Sequence, residues 1–136
     1  MSEQKLLHIL IAEDDEDDAF MTIESFKKNR AFGKISLVKN GWELIEFLKD
    51  AGTALPDVVL TDINMPIMNG IDAIKKMCDN PKFGSIPTFV YSTSVNPIYE
   101  AECMKLGTKG FLVKPLSLAN YDDIPNKIAE VLNGNA

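Results

Sequence analysis

The chain has 136 residues, 46% hydrophobic and 25% charged, a composition that fits one globular domain over residues 1–136 with a single core. A formal net charge of -6 weighs against nucleic acid, whose phosphates reward clustered Lys and Arg, and against an anionic membrane surface, leaving a metal cation or a protein as the expected partner. Cys78 and Cys103 have neither C-x-x-C nor Cys/His metal spacing, and the N-terminal apolar run is too short for a signal peptide or membrane span, so free buried thiols in a reducing cytoplasm are expected.

The first strand reads Leu7 to Ala12, and an unbroken acidic run from Glu13 to Asp18 follows it directly. Two unit charges about 4 Å apart repel by roughly 4 kcal/mol at an effective dielectric near 20, so carboxylates crowded at a buried strand end must meet a cation or protonate. Asp15 to Asp18 also suit a helix N-terminus, where acids meet the macrodipole, and are read as solvated or capping residues. The helix they begin carries the stripe Phe20, Ile23 and Phe26. A second strand, Lys34 to Lys39, ends at Asn40-Gly41, a cap or turn before a helix with the stripe Trp42, Ile45 and Leu48. The third strand is Val58 to Thr61, and its helix carries Ile71, Ile74 and Met77 after Asn69-Gly70. The stripes at Phe20, Trp42 and Ile71 are all read as core. After a fourth strand, Thr88 to Ser92, a fourth helix opens on Asn96-Pro97, a capping residue and then proline at the first helical position. The fifth strand is Gly110 to Val113. In the last stretch, Ser117 to Leu132, Pro125 demands either a kink or a helix starting near Asp123 with the proline in its first turn. His8 is expected to be a satisfied or edge histidine of the first strand.

Most of these strands are unbroken apolar runs, as parallel strands covered on both faces are. Five βα units in this length fit an α/β fold, a five-stranded parallel doubly wound sheet with right-handed crossovers. Ligands of such sheets bind outside the carboxyl ends of the strands. Those ends supply Glu13 and Asp14, then Asp62, then Ser92, then Lys114-Pro115. Oxygen donors of this kind suit Mg²⁺, which is usually held by one or two carboxylates, keeps waters and leaves room for phosphate. Asp14 and Asp62 are the expected direct ligands, a backbone carbonyl just after Asp62 a third, and Glu13 a ligand through water. Lys114 and the Ser92 hydroxyl would neutralise phosphoryl oxygens while Asp62 acts as nucleophile and forms an aspartyl phosphate.

Taken in order, Ile9 to Asp15, Asp57 to Pro66 with Asn69-Gly70, Pro87 to Ser92, and Gly107 with Gly110 to Pro115 span nearly the whole chain. With them the sequence resembles a receiver domain of a bacterial two-component response regulator, of the chemotaxis-regulator (CheY-like) type. The resemblance implies the flavodoxin-like strand order 2-1-3-4-5. It implies that Asp62 accepts phosphate from a phosphohistidine on a sensor kinase or phosphotransfer protein, that Asn64 gives its backbone carbonyl to Mg²⁺, and that Lys114 and Ser92 grip the phosphoryl oxygens. A cis peptide between Lys114 and Pro115 is also implied. So is a switch in which Ser92 moves toward the phosphate and Phe111 turns inward, remodelling the face of the fourth helix, fifth strand and fifth helix.

Four positions qualify the resemblance. Phe111 replaces a frequent tyrosine and can switch only by packing. Thr93 stands where a smaller alanine is common and can narrow the path to the phosphate. Glu13 stands in place of an aspartate, which a water-mediated role tolerates. Asn64 and Ser94, each two residues beyond Asp62 and Ser92, occupy the positions that tune hydrolysis in the family.

The expected function is a stand-alone cytoplasmic switch, monomeric or homodimeric, whose output is contact with a downstream protein effector, because the chain ends about twenty residues after Lys114. It would catalyse its own phosphoryl transfer and slow autodephosphorylation. Ser92-Thr93-Ser94 and Tyr121 further resemble regulators partnered with phytochrome-type kinases. The alternative is a phosphorelay intermediate or phosphate sink passing phosphate between histidine proteins. A Mg²⁺-dependent aspartyl-phosphate hydrolase of another fold would need a second acid two residues after the nucleophile, where this chain has Asn64.

Overall fold

The computed structural model describes residues 5–94 and 96–134, apart from the side chain of Leu118. Five strands, β1 (Leu7–Ala12), β2 (Phe32–Val38), β3 (Val58–Asp62), β4 (Thr88–Ser92) and β5 (Gly110–Val113), pair in parallel in the order β2-β1-β3-β4-β5. Every residue of β3 and β4 is buried, which explains their uninterrupted apolar letters. The period-2 alternation is still present inside those runs. Ile9, Ile11, Leu60, Phe89 and Tyr91 pack on one side of the sheet with Phe26, Ile124 and Ile128. Leu10, Ala12 and Val59 pack on the other with Leu44, Leu48 and Met77.

The first side is covered by α1 (Glu16–Lys28) and α6 (Asp123–Leu132), the second by α2 (Gly41–Asp50), α3 (Gly70–Cys78) and α5 (Pro97–Lys105). Side-chain caps start the first three of these helices in chain order: Asp15, Asn40 and Asn69 accept the backbone N–H of Asp18, Glu43 and Asp72. Asn96 does the same for α5, as its Asn-Pro start predicts. An identical signal at Asn80-Pro81 starts a short helix, α4 (Pro81–Gly84), which the sequence reading missed and which buries Phe83. At the C-terminus a 3-10 segment, Leu118–Asp122, precedes α6, so Pro125 falls in the first turn, where its missing N–H leaves no gap.

Four expectations fail. Cys103 is a buried thiol as expected, but Cys78 is exposed. Phe20 is 65% exposed and Trp42 52% exposed, so neither stripe is core along its whole length. The buried face of α1 is Ala19, Thr22, Ser25 and Phe26, polar letters in part, because the Thr22 hydroxyl satisfies itself by donating to the Asp18 carbonyl at 2.7 Å. In α2 the inward phase is set by Gly41, Leu44, Ile45 and Leu48, which turns Trp42 outward. The Lys114–Pro115 peptide is trans, since no peptide among the described residues is cis, in line with the trans preference of about 0.5–1 kcal/mol that X–Pro bonds retain.

Candidate functional site

Parallel pairing brings the strand ends level. Ala12 lies beside Thr61, Asp62 beside Tyr91, and Ser92 beside Val113, so the residues that follow or close these strands meet on one edge. The ladder continues past the strands, with the Glu13 N–H donating to the Val38 carbonyl at 2.9 Å and the Lys114 N–H to the Ser92 carbonyl at 2.7 Å.

Lys114 is the centre of the site. It is only 5% exposed, and its Nζ lies 2.6 Å from Glu13 Oε1, 3.0 Å from Asp62 Oδ2 and 3.0 Å from Asp18 Oδ2. It also sits 4.8 Å from the centre of the Tyr91 ring, a cation–π contact from below. Burial alone would lower the Lys114 pKa, but Glu13, Asp62 and Asp18 outweigh it and hold the amine above its ordinary value, so it is an ammonium at neutral pH. Burial also raises the Glu13 pKa, opposed by Lys114 and reinforced by the charge of Asp62. Tyr91 is pushed well above its ordinary value by burial first and the Glu13 charge second, so it stays a neutral phenol under the lysine.

Asp62 closes β3 and is buried, with Oδ1 accepting the Ile63 N–H at 2.7 Å and Oδ2 accepting from Lys114. Glu13, Asp14 and Asp62 each bring a carboxylate oxygen within 4.8 Å of the others. Three carboxylates, Glu13, Asp18 and Asp62, meet the Lys114 ammonium, and Asp14 adds a fourth to the cluster with Glu13 and Asp62. Buried Glu13 Oε1 has the ammonium as a close ion-pair contact but receives no well-directed hydrogen bond. That surplus of hard oxygen donors fits a divalent cation such as Mg²⁺. Glu13 also meets the Lys114 ammonium directly.

Of the other residues named from sequence, Ser92 is buried at the end of β4, while Asn64, Thr93 and Ser94 are exposed in the loops beyond β3 and β4. Thr93 lines a cavity of about 330 Å³ with Asp18, Met21, Lys114 and Tyr121. Phe111 is half-buried on β5 against Ile63, Ile71, Ile74, Val90 and Cys103, so the aromatic already faces inward. Asp15 is the expected cap, and Glu16 and Asp17 are exposed.

Asp18 is the correction. It is the fourth member of the run to be read as solvated or capping, yet it reaches the strand-end edge, bonding Lys114 through one oxygen and accepting the Tyr121 hydroxyl at 3.3 Å through the other. The phase of α1 carries the signal, because residue 18 lies one turn before buried Thr22 and two before Phe26, on the face turned to the sheet.

A family model described as "Response regulator receiver domain" matches residues 9–124. The chain is 37% identical over 94 residues to the chemotaxis protein CheY of Thermotoga maritima, a match covering 69% of this chain and 68% of that protein. It is 33% identical over 115 residues to the 3',5'-cyclic-nucleotide phosphodiesterase regA of Dictyostelium discoideum, covering 82% of this chain and 14% of that protein's length. Among solved structures, the phosphorylated cyanobacterial phytochrome response regulator RcpA superposes with a TM-score of 0.86 at 24% identity over 97% of both chains. The Mn²⁺-bound form of response regulator Rcp1 gives 0.80 at 23% identity over 91% of this chain and 92% of that one. At these identities the two structures speak to the fold.

Proposed function

The chain belongs to the response regulator receiver family of two-component signalling, and from that membership we propose that it is a cytoplasmic phosphorylation switch with Asp62 as its phosphoacceptor. The observation that carries this reading is the Asp62 carboxylate, buried at a strand end, with the Lys114 ammonium at 3.0 Å and two further acids alongside. An Asp62 oxygen attacks phosphorus as the N–P bond of a phosphohistidine breaks and its electron pair returns to the imidazole. Lys114 and the Ser92 hydroxyl take phosphoryl oxygens. Asp14, Asp62 and the Asn64 carbonyl, with Glu13, would hold Mg²⁺, which when bound supplies positive charge against those same oxygens. Asn64 and Ser94, exposed beside the site, would set how fast water removes the phosphate.

The proposed donor is a sensor histidine kinase or a histidine phosphotransfer protein. The likeness in fold to two phytochrome response regulators supports a phytochrome-type kinase. The proposed output surface is α5, β5 and α6, where Ile98, Met104 and Val113 are exposed and Phe111 lies beneath. Through it the receiver, as a monomer or homodimer, would bind a protein effector.

The competing reading is a relay intermediate or phosphate sink built on the same site. Mixing the phosphorylated protein with effector and with a second histidine protein separates the two. An affinity gain of about 5- to 150-fold for the effector, the span of ordinary coupling energies, supports the switch. Rapid loss of phosphate to the histidine protein supports the relay.

A further inference from the structure

The carboxylate of Asp18 bridges Lys114 and Tyr121. Oδ2 lies 3.0 Å from Lys114 Nζ, and Oδ1 accepts the hydroxyl of Tyr121 at 3.3 Å. Tyr121 is buried in the 3-10 segment that leads into α6, packed with Phe26 and Ile124. Burial and the charge of Asp18 push its pKa up to about 12, so the phenol remains a donor. A continuous chain of polar contacts thus runs Asp62, Lys114, Asp18, Tyr121.

Asp18 also differs from the other partners of Lys114. Glu13 and Asp62 belong to the cluster that can draw a cation, whereas Asp18 does not. An ammonium on a flexible four-carbon stem has no fixed direction of its own. When the cluster's oxygens are engaged elsewhere, Asp18 is the acceptor that still holds Lys114 in place.

We propose that Asp18 is a positioning residue for phosphoryl transfer to Asp62, holding the Lys114 ammonium while Tyr121 holds Asp18. The inference rests on the phosphoacceptor reading above. It also makes the segment before α6 part of the site's support.

The test uses the full chain with Mg²⁺ and a small acyl phosphate, following phosphorylation rate against donor concentration for wild type, Asp18→Asn, Tyr121→Phe, the double variant and Lys28→Ala. Misplacing a reacting group by about 1 Å can cost a hundredfold, and a loosened ammonium should cost part of that. Asp18→Asn should lower the maximal rate on the order of tenfold without raising the donor KM, since removing a negative charge does not weaken capture of an anion. Tyr121→Phe, which keeps the packing, should slow the reaction less, and adding it to Asp18→Asn should change nothing further. Lys28→Ala breaks the separate α1 contact to Asp122 and should match wild type. Unchanged rates in Asp18→Asn, additive losses in the double variant, or an equal loss in Lys28→Ala overturn the proposal. If Asp18→Asn does not fold, Tyr121→Phe carries the same test alone. Wild type that takes no phosphate overturns the phosphoacceptor reading and this inference with it.

Discussion

A Cβ on Gly70 would stand 2.0 Å from the carbonyl oxygen of Asp62, so the first residue of α3 passes closer to the phosphoacceptor backbone than any side chain permits. The Gly70 N–H donates to the Ile63 carbonyl at 2.9 Å and keeps the turn shut. Helix propensity alone favours Gly70→Ala by up to about 1 kcal/mol, but overpacking costs about 1–3 kcal/mol, and here the obstacle is backbone that cannot rotate away. Gly70→Ala should therefore destabilise the protein by about 2 kcal/mol or more, read as a lower urea midpoint with an unchanged slope.

Ile67, in the same loop, has φ of 69°, a left-handed conformation that a β-branched residue rarely adopts, and it is 81% exposed. The conformation costs about 1–2 kcal/mol, more than the extra unfolded-state entropy of glycine, about 0.5–1 kcal/mol. With little burial to lose, Ile67→Gly should stabilise the fold by roughly 0.5–1 kcal/mol, an unusual direction for a glycine substitution. A fall in the unfolding midpoint would mean that Ile67 makes contacts that outweigh its strain.

His8 gives the fold a pH dependence of known sign. Burial lowers its pKa from 6.5, Lys34 lowers it further, and Asp57 opposes both, while Nε2 bonds the Ser36 hydroxyl at 2.9 Å. Well above 6.5 the ring is neutral folded and unfolded, and contributes no slope. Below it the unfolded chain takes the proton more readily, so stability falls until the depressed folded pKa is passed. His8→Gln should flatten that part of the wild-type curve in urea titrations at pH values from about 7.5 to 5. Parallel curves for the two proteins would contradict the assignment.

Mg²⁺ should stabilise the protein, because it relieves a site where Glu13, Asp18 and Asp62 share one ammonium and Asp14 adds a further carboxylate beside Glu13 and Asp62. At a concentration a hundred times the dissociation constant the gain is about 2.7 kcal/mol, reversed by a chelator. Asp14 is exposed, so Asp14→Asn should fold normally yet lose most of the gain. An equal rise in thermal midpoint for both proteins would place the cation elsewhere.

The sequence revealed the central strands because burial on both faces leaves apolar runs such as Val58 to Leu60, and it revealed Asp62 and Lys114 because parallel strands deliver their ends to one edge. It misled where a helix face is chosen by packing rather than by apolar letters. Thr22 and Ser25 face inward while Phe20 faces out, and Gly41 rather than Trp42 meets the interior. Asp18 was hidden by the same cause, since its neighbours in the acidic run are solvated and only the phase set by Thr22 distinguishes it. The short helix at Pro81 carries the same Asn-Pro start as that at Pro97 and is legible from it.

The central claim is that Asp62 takes a phosphoryl group, and intact-mass measurement after incubation with Mg²⁺ and a small acyl phosphate tests it most directly. Wild type should gain one phosphate-sized increment and Asp62→Asn none. No gain in wild type, under conditions where a known receiver responds, or an equal gain in Asp62→Asn, would contradict it.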